Sequence, residues 1–197
     1  MERLFWNGSR AYATGLARLA FGFRPVIPWL SYDATRILER RLSPGSSVLE
    51  FGSGMSTLWF ARRAGFVRSV EGCEAWYQKV RSFIKAEGIQ NVDYILAVSE
   101  SDYVMAGDAG GRAYDMVIVD GDFRSECVRH AVKWLKRPGI LYLDNSDKDS
   151  GPDGGDIRAA EELALDLARR MHGSVQHFTD FAPTQLTPNQ GLMISIA

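Results

Sequence analysis

The chain has 197 residues, 46% of them hydrophobic and 24% charged, which suits one ordinary globular domain with a buried core. Lysine plus arginine (23) nearly balance aspartate plus glutamate (24), for a net charge of -1, and no basic stripe with interleaved aromatics occurs. The footprint expected of a nucleic-acid binder is therefore missing, and two cysteines, Cys73 and Cys127, argue against a disulfide framework.

Residues 1–45 read as a helical preface. Tyr12, Leu16, Leu19 and Phe23 recur at helical spacing over residues 9–23, and Ser31 is placed to cap a helix running to Leu42, where Ser43-Pro44-Gly45 breaks it. The apolar stretch 11–23 is interrupted by Arg18 and too short to cross a bilayer, which needs about 20 apolar residues. It has no small-residue cleavage site behind it, so no signal peptide is read and a cytoplasmic location is expected.

From residue 47 strand and helix alternate. Residues 47–51 form a short apolar run, 56–64 a helix closed by Gly65, and 66–70 a second strand. A helix over 74–87 puts Trp76, Val80, Phe83 and Ile84 on one face and ends at Gly88; a third strand covers 92–98. Residues 115–120 are a near-continuous apolar strand, of the kind covered on both faces. A helix over 124–135 stops before Pro138-Gly139, and a fifth strand covers 140–143. Residues 144–156 are a loop by composition, followed by a helix over 157–171 and strands over 174–178 and 190–196. The expected architecture is a doubly wound, mostly parallel seven-stranded α/β sheet, Rossmann-like, behind an N-terminal helical extension. Ligands of such sheets bind outside the carboxyl ends of the strands. Residues 51–55, 71–73, 98–102, 120–123 and 144–146 all fall on that edge.

Chemistry concentrates in the turn after the first strand. Gly52 and Gly54 stand one residue apart between a buried strand and a helix, where the backbone must turn and can approach a ligand. Nineteen residues after Gly52, at the end of the next strand, Glu71 is placed to accept both ribose hydroxyls of a nucleoside. A dinucleotide site wants a third glycine where Thr57 stands, and it has no need of Glu50 before the glycines. A sulfonium cofactor with an amino-acid tail and no phosphate needs no third glycine and benefits from acids near its cationic groups.

Residues 48–57 resemble the first motif of class I S-adenosylmethionine-dependent methyltransferases, 67–72 the second, and 115–120 with 139–145 the later ones. The likeness covers about residues 47–145, with 190–196 fitting the antiparallel last strand, and the run from Leu49 to Ala61 is similar to a bacterial subgroup of largely unassigned substrate. It implies that Gly52, Ser53 and Gly54, with Ser56, Thr57 and nearby Glu50, hold the methionine part of S-adenosylmethionine. It further implies that Glu71 and Gly72 hold the ribose, and that residues from Ser99 to Asp102 flank the adenine. Asp120-Gly121-Asp122-Phe123-Arg124, with Leu143-Asp144-Asn145, resembles the metal-dependent catechol and caffeoyl-CoA O-methyltransferases, which implies Asp120, Asp144 and Asn145 as ligands of an ion such as Mg²⁺. That family's catalytic lysine is Phe123 here, and Arg124 cannot serve as a base, so a metal-free enzyme is preferred.

His130, His172 and His177 have no serine or cysteine partner suited to nucleophilic catalysis. Trp6, Phe21, Phe23, Trp29 and Tyr32 are read as packing, with a lid over an apolar acceptor as the alternative. The reading is a methyltransferase acting on a small-molecule acceptor, with Asp120, Asp144 and Asn145 at the reaction centre and Asp120 beside the cofactor. A homodimer is compatible with it; nucleic acid and a membrane span are not expected. An aminopropyltransferase, an NAD-binding protein and a non-catalytic nucleoside-binding module share the fold and stay open.

Overall fold

The computed structural model describes residues 2–147 and 156–197, so most of the loop read over 144–156 lies outside the described residues. The elements in chain order are α1 (Glu2–Phe21), α2 (Tyr32–Arg41), β1 (Ser47–Phe51), α3 (Met55–Ala61), β2 (Phe66–Glu71), α4 (Glu74–Ala86), β3 (Val92–Leu96), α5 (Glu100–Met105), β4 (Tyr114–Val119), α6 (Arg124–Ala131), β5 (Leu135–Leu143), α7 (Ile157–Arg170), β6 (Ser174–Asp180) and β7 (Asn189–Ile196).

The strands form one sheet in the order β3-β2-β1-β4-β5-β7-β6, parallel except for β7, which runs antiparallel to both β5 and β6. Chain direction reverses its march across the sheet between β1 and β4, whose register pairs Phe51 with Val119. This is the switch point at which α/β sheets open a crevice. Alternation along the strands fills both faces. Leu49, Phe51, Val117, Val119, Leu141 and Leu143 pack under α5, α6 and α7, while Val48, Met116, Ile118, Ile140 and Tyr142 pack under α2 and α3.

Beyond shifts of a few residues at element ends, four differences from the sequence reading matter. Helix α1 begins at Glu2 instead of residue 9. Helix α5 stands where the sequence reading assigned no element: the Ser99 hydroxyl accepts the Asp102 amide at 3.2 Å, so the serine caps a helix. Helix α6 stops at Ala131 because the chain tightens into turns, with Lys133 N–H on His130 O and Trp134 N–H on Ala131 O. Strand β5 therefore starts at Leu135 and runs through Pro138, with an irregularity between the pairs at Tyr114 and Met116.

The spacing of Tyr12, Leu16 and Leu19 does mark one side of α1, but the side is exposed, and Phe23 lies beyond the helix, also exposed. The docked side carries Asn7, Gly8, Ala11 and Gly15, which lie against the connection between β6 and β7: Asn7 donates to Asp180 at 2.7 Å, Gly8 meets the Phe181 ring, and Gly15 meets Thr184 and Leu186. The five aromatics do not form one cover either. Tyr32 is buried beneath Arg10 and Trp29 sits under Arg18 and Arg24, whereas Trp6, Phe21 and Phe23 face outward. Cys127 is buried as expected, but Cys73 is exposed at the start of α4. Among the described residues no helix is long and apolar enough to cross a membrane.

Candidate functional site

The turn from β1 into α3 sits against the turn from β4 into α6. Gly52 has φ +94°, and a Cβ built on it would lie 2.5 Å from Gly121 N. A Cβ on Gly121 would in turn lie 2.8 Å from Gly52 Cα and 2.1 Å from the Tyr103 hydroxyl. Both positions therefore need glycine, for conformation or close approach. Gly54 is different: its backbone is extended, and a Cβ there would meet only Ser56 Oγ at 3.7 Å. The chain itself makes no demand for glycine at 54, which leaves open space above the turn.

Glu50 lies beneath this turn, 1% exposed, on the face covered by α3. Its neighbour in the β1–β2 register is Ser69, whose hydroxyl donates to Oε2 at 2.6 Å; the Thr57 hydroxyl donates to the same oxygen at 2.5 Å. Thr57 also accepts the Gly54 amide at 3.1 Å. Oε1 of Glu50 is buried with no hydrogen-bond partner. Burial raises the Glu50 carboxyl to about 7, opposed by the hydroxyls of Ser56, Ser69 and Thr57 and reinforced by the charge of Asp120. Thr57, which is fully buried, occupies the third-glycine position and satisfies the first amide of the turn. A pyrophosphate seated there would compete with both.

Glu71 ends β2 and is buried. Its Oε2 accepts the Ser53 amide at 3.2 Å and the Ser53 hydroxyl at 2.6 Å, and its Oε1 accepts the Cys73 amide at 2.9 Å. Ser53 is tied further: its hydroxyl lies 2.7 Å from the Tyr94 hydroxyl, and its carbonyl accepts the Trp76 indole N–H at 2.8 Å. Tyr94 stacks on Tyr77 with ring centroids 4.4 Å apart. Beside Glu71, a Cβ on Gly72 would meet Asp122 Oδ2 at 2.7 Å. Ser99 belongs to this edge by position, but its hydroxyl is engaged in the α5 cap and donates to Asp102 at 2.7 Å.

The ends of β4 and β5 bring Asp120, Asp144 and Asn145 together. Asp144 is fully buried, accepts the Tyr142 hydroxyl at 3.2 Å and accepts the Asn145 amide N–H at 2.5 Å. Burial, and after it the charge of Asp120, hold its carboxyl well above the usual carboxylate range; Arg124 opposes this. The Arg124 guanidinium spans the two strand ends. It donates to Gly121 O at 2.9 Å, Asp120 O at 3.0 Å and Asp144 O at 2.5 Å, and lies 3.4 Å from Asp120 Oδ1.

This arrangement does not fit a divalent ion. A guanidinium already bridges the strand ends, Asp144 favours its neutral form, and Asn145 turns its N–H₂ toward Asp144 while its Oδ1 has no partner. Among the described residues no group of three or more His, Cys, Asp or Glu is placed to hold a metal.

Sequence reasoning gave no site role to Tyr94, Trp76, Tyr103, Tyr142 or Asp122: the first three stand in no motif, and Tyr142 and Asp122, although inside motif segments, reach the site only through tertiary contact. Arg124 was weighed only as a base; its contact with Asp120 forms because the turn between β4 and α6 folds the first residue of α6 back onto the strand end. None of the three histidines joins the site: His130 lies near the Trp134 ring, His172 follows the end of α7, and His177 faces Glu161 from β6.

No protein-family model matches the chain, and no curated protein matches it. Solved structures do. The O-methyltransferase TomG from Streptomyces achromogenes, crystallised with S-adenosylmethionine, superposes with a TM-score of 0.71 at 19% identity, over 100% of this chain and 99% of that one. An rRNA methylase from Streptococcus thermophilus gives 0.66 at 17% identity, over 90% and 99%. Trm5b from Pyrococcus abyssi gives 0.54 at 18% identity over 81% of this chain, which spans only 46% of that protein's length. Strand order, the turn at the β1–β4 switch and these superpositions agree: the chain has the Rossmann-like fold of the class I methyltransferases.

Proposed function

We propose that the chain transfers a methyl group from S-adenosylmethionine to a small-molecule acceptor, without a metal ion. The observation that carries the reading is Glu50, a buried carboxylate with one oxygen unpartnered inside the glycine turn. A buried acid of this kind calls for a cation and repels a phosphate. S-adenosylmethionine has an ammonium and a sulfonium; NAD brings a pyrophosphate. Thr57 points the same way, since it fills the place where a dinucleotide needs a glycine. The relatives solved with S-adenosylmethionine or its product share the fold at low identity. Among the fold neighbours is also an rRNA methylase; the small-molecule acceptor rests on the balanced charge of the chain.

When bound, the cofactor supplies a methyl carbon on a positive sulfur. The chain's residues do the rest. Glu50 offers its free oxygen to the cationic tail, and Glu71 faces the ribose once Ser53 releases its hydroxyl. Asp120, 32% exposed at the strand end, takes the acceptor's proton as the acceptor oxygen attacks the methyl carbon. With the cofactor bound, its methyl group would pass to the acceptor and the C–S electron pair would stay with sulfur, so the chain's residues need only bind, orient and take the proton. Arg124 keeps Asp120 oriented, and burial raises the neighbouring Asp144 carboxyl, which disfavours charging both at once.

A thermal-shift panel tests the reading. S-adenosylhomocysteine should raise the melting temperature, as any ligand of the native state does. Stabilisation by NAD alone would overturn it, and a larger shift with decarboxylated S-adenosylmethionine would point to aminopropyl transfer.

A further inference from the structure

Helix α1 leaves a broad apolar surface in water. Phe5, Leu16 and Leu19 are 71%, 65% and 80% exposed, and Trp6 66%. At about 100° per residue, Leu19, Tyr12, Phe5, Leu16 and Trp6 spread over about 140° of the helix, and between residues 4 and 21 no charged side chain falls in that arc. A two-helix seam uses a narrower stripe. Single exposed apolar residues are ordinary, but a contiguous patch of this breadth marks an interaction surface.

A cationic groove adjoins this face on the Trp6 side. It is lined by Arg3 of α1, Arg36 and Arg40 of α2, Asp33, and His177 and Asp180 of β6. Both acids are already engaged, Asp33 with Arg36 and Asp180 with the Asn7 amide and the Asp33 backbone N–H. Arg3 and Arg40 have no ion-pair partner among the described residues. Arg10, on the same flank, lies over the Tyr32 ring at 4.6 Å.

We infer that α1 docks the protein on an anionic phospholipid surface, the apolar arc lying among the acyl chains and Arg3 and Arg40 receiving the phosphate headgroups. An aromatic-rich arc that carries no charge from residue 4 onward, flanked on the Trp6 side by Arg3 and Arg10, is the pattern of a helix lying in the membrane interface. The breadth of the arc suits a planar apolar phase better than one partner helix, and the groove supplies the charge complement. α1 rests on the connection that follows β6, at the same end of the sheet as Asp120 and Asp144. Docking there turns that end toward the bilayer.

The test is co-sedimentation of the full chain with phosphatidylcholine vesicles, with and without phosphatidylglycerol, alongside light scattering of the vesicle-free protein. The protein should sediment with the anionic vesicles and be released by salt. Phe5→Glu/Leu19→Glu should abolish binding to both vesicle types. Arg3→Gln/Arg40→Gln should lose about fivefold per arginine on anionic vesicles and leave the phosphatidylcholine baseline unchanged. All these side chains are exposed, so unchanged melting curves serve as the folding control. Absence of vesicle binding overturns the inference. So does a vesicle-free dimer that falls to monomer in Phe5→Glu/Leu19→Glu, which would make a second copy the occupant.

Discussion

Gly52 and Gly121 meet backbone to backbone across the β1–β4 switch, so close that neither tolerates a Cβ. The contact joins the two turns that carry Glu50 and Asp120 on their strands, and it determines how far apart those turns can sit. Gly52→Ala must also adopt φ +94°, a region alanine avoids. Either alanine should lower unfolding free energy by about 2–4 kcal/mol, the range for overpacking plus backbone strain, measured as a shifted denaturant midpoint at constant slope. At Gly121 the nearest obstacle is the Tyr103 hydroxyl, itself buried without a partner. Tyr103→Phe should therefore restore part of the loss in Gly121→Ala. An unchanged midpoint in Gly52→Ala would show that the turns are not in contact.

Glu50 makes stability and cofactor affinity respond to pH in opposite senses. Its carboxyl rises from 4.5 unfolded to about 7 folded, so the native state holds the proton more tightly. Stability from this group is then lost as pH climbs from about 4.5 through 7, and the full penalty applies above that. Glu50→Gln should raise the stability of the ligand-free protein at pH 8 by about 1–3 kcal/mol, while at pH 4 it should do little. In the proposed role Glu50 binds the cationic tail in its ionised form, so wild-type S-adenosylmethionine affinity should weaken below pH 7, by at most about tenfold per pH unit. Glu50→Gln should bind weakly at every pH. A variant as tight as wild type would remove Glu50 from the cofactor site.

Glu71 holds the turn through Ser53 and Cys73, so truncation to test its proposed contact with the ribose cannot leave the fold untouched. Glu71→Ala strands the Ser53 and Cys73 amides and should cost about 1–3 kcal/mol of stability. It should also weaken S-adenosylhomocysteine binding by about 1.5–3 kcal/mol, the range for hydrogen bonds to a charged group. Ser53→Ala separates the two effects, because it removes the hydroxyl that occupies Glu71 without removing the carboxylate. Calorimetry should find Ser53→Ala far closer to wild type in affinity than Glu71→Ala. Equal affinities across all three proteins would confine Glu71 to holding the turn.

The central strands were legible because β1 and β4 are buried on both faces and run into the turns at Gly52 and Gly121. Runs such as Val48-Leu49 and Met116-Val117-Ile118-Val119 have no other stable use. Helix α5 escaped because six residues hold too few turns to show a period, although Ser99 with Asp102 is a cap signal. Helix α1 misled in the opposite way. Its apolar period is real, but periodicity reports only that one side is apolar, and small residues at Gly8, Ala11 and Gly15 let the other side approach the β6–β7 connection. At the site, the motif residues were readable from spacing, while Tyr94, Tyr103 and Tyr142 come from separate strands and helices and meet only in the folded chain. Gly54 was read as a turn requirement; the structure makes that case for Gly52 alone.

Arg124 and Asp120 decide whether the reaction needs a metal. The guanidinium holds three backbone carbonyls at the ends of β4 and β5 and stands beside the Asp120 carboxylate, so a positive charge is built into the place a divalent ion would take. Turnover on any acceptor should thus be unaffected by a chelator and by added Mg²⁺ or Mn²⁺. Asp120→Asn keeps the shape and loses the base; turnover should fall by about 10²-fold or more, the low end for loss of a general base, with S-adenosylhomocysteine affinity nearly unchanged. Arg124→Ala should behave differently. It frees three buried carbonyls and a carboxylate at once, so it should lower stability by about 2–4 kcal/mol and reduce turnover together. Arg124→Lys keeps the charge but cannot span the carbonyls in the same geometry, and should recover little of either. Full inhibition by a chelator, restored by Mg²⁺, would return Asp120, Asp144 and Asn145 to the role of metal ligands. Near-normal turnover in Asp120→Asn, with and without added metal, would instead leave Asp120 as a structural partner of Arg124 and move the search for the base elsewhere.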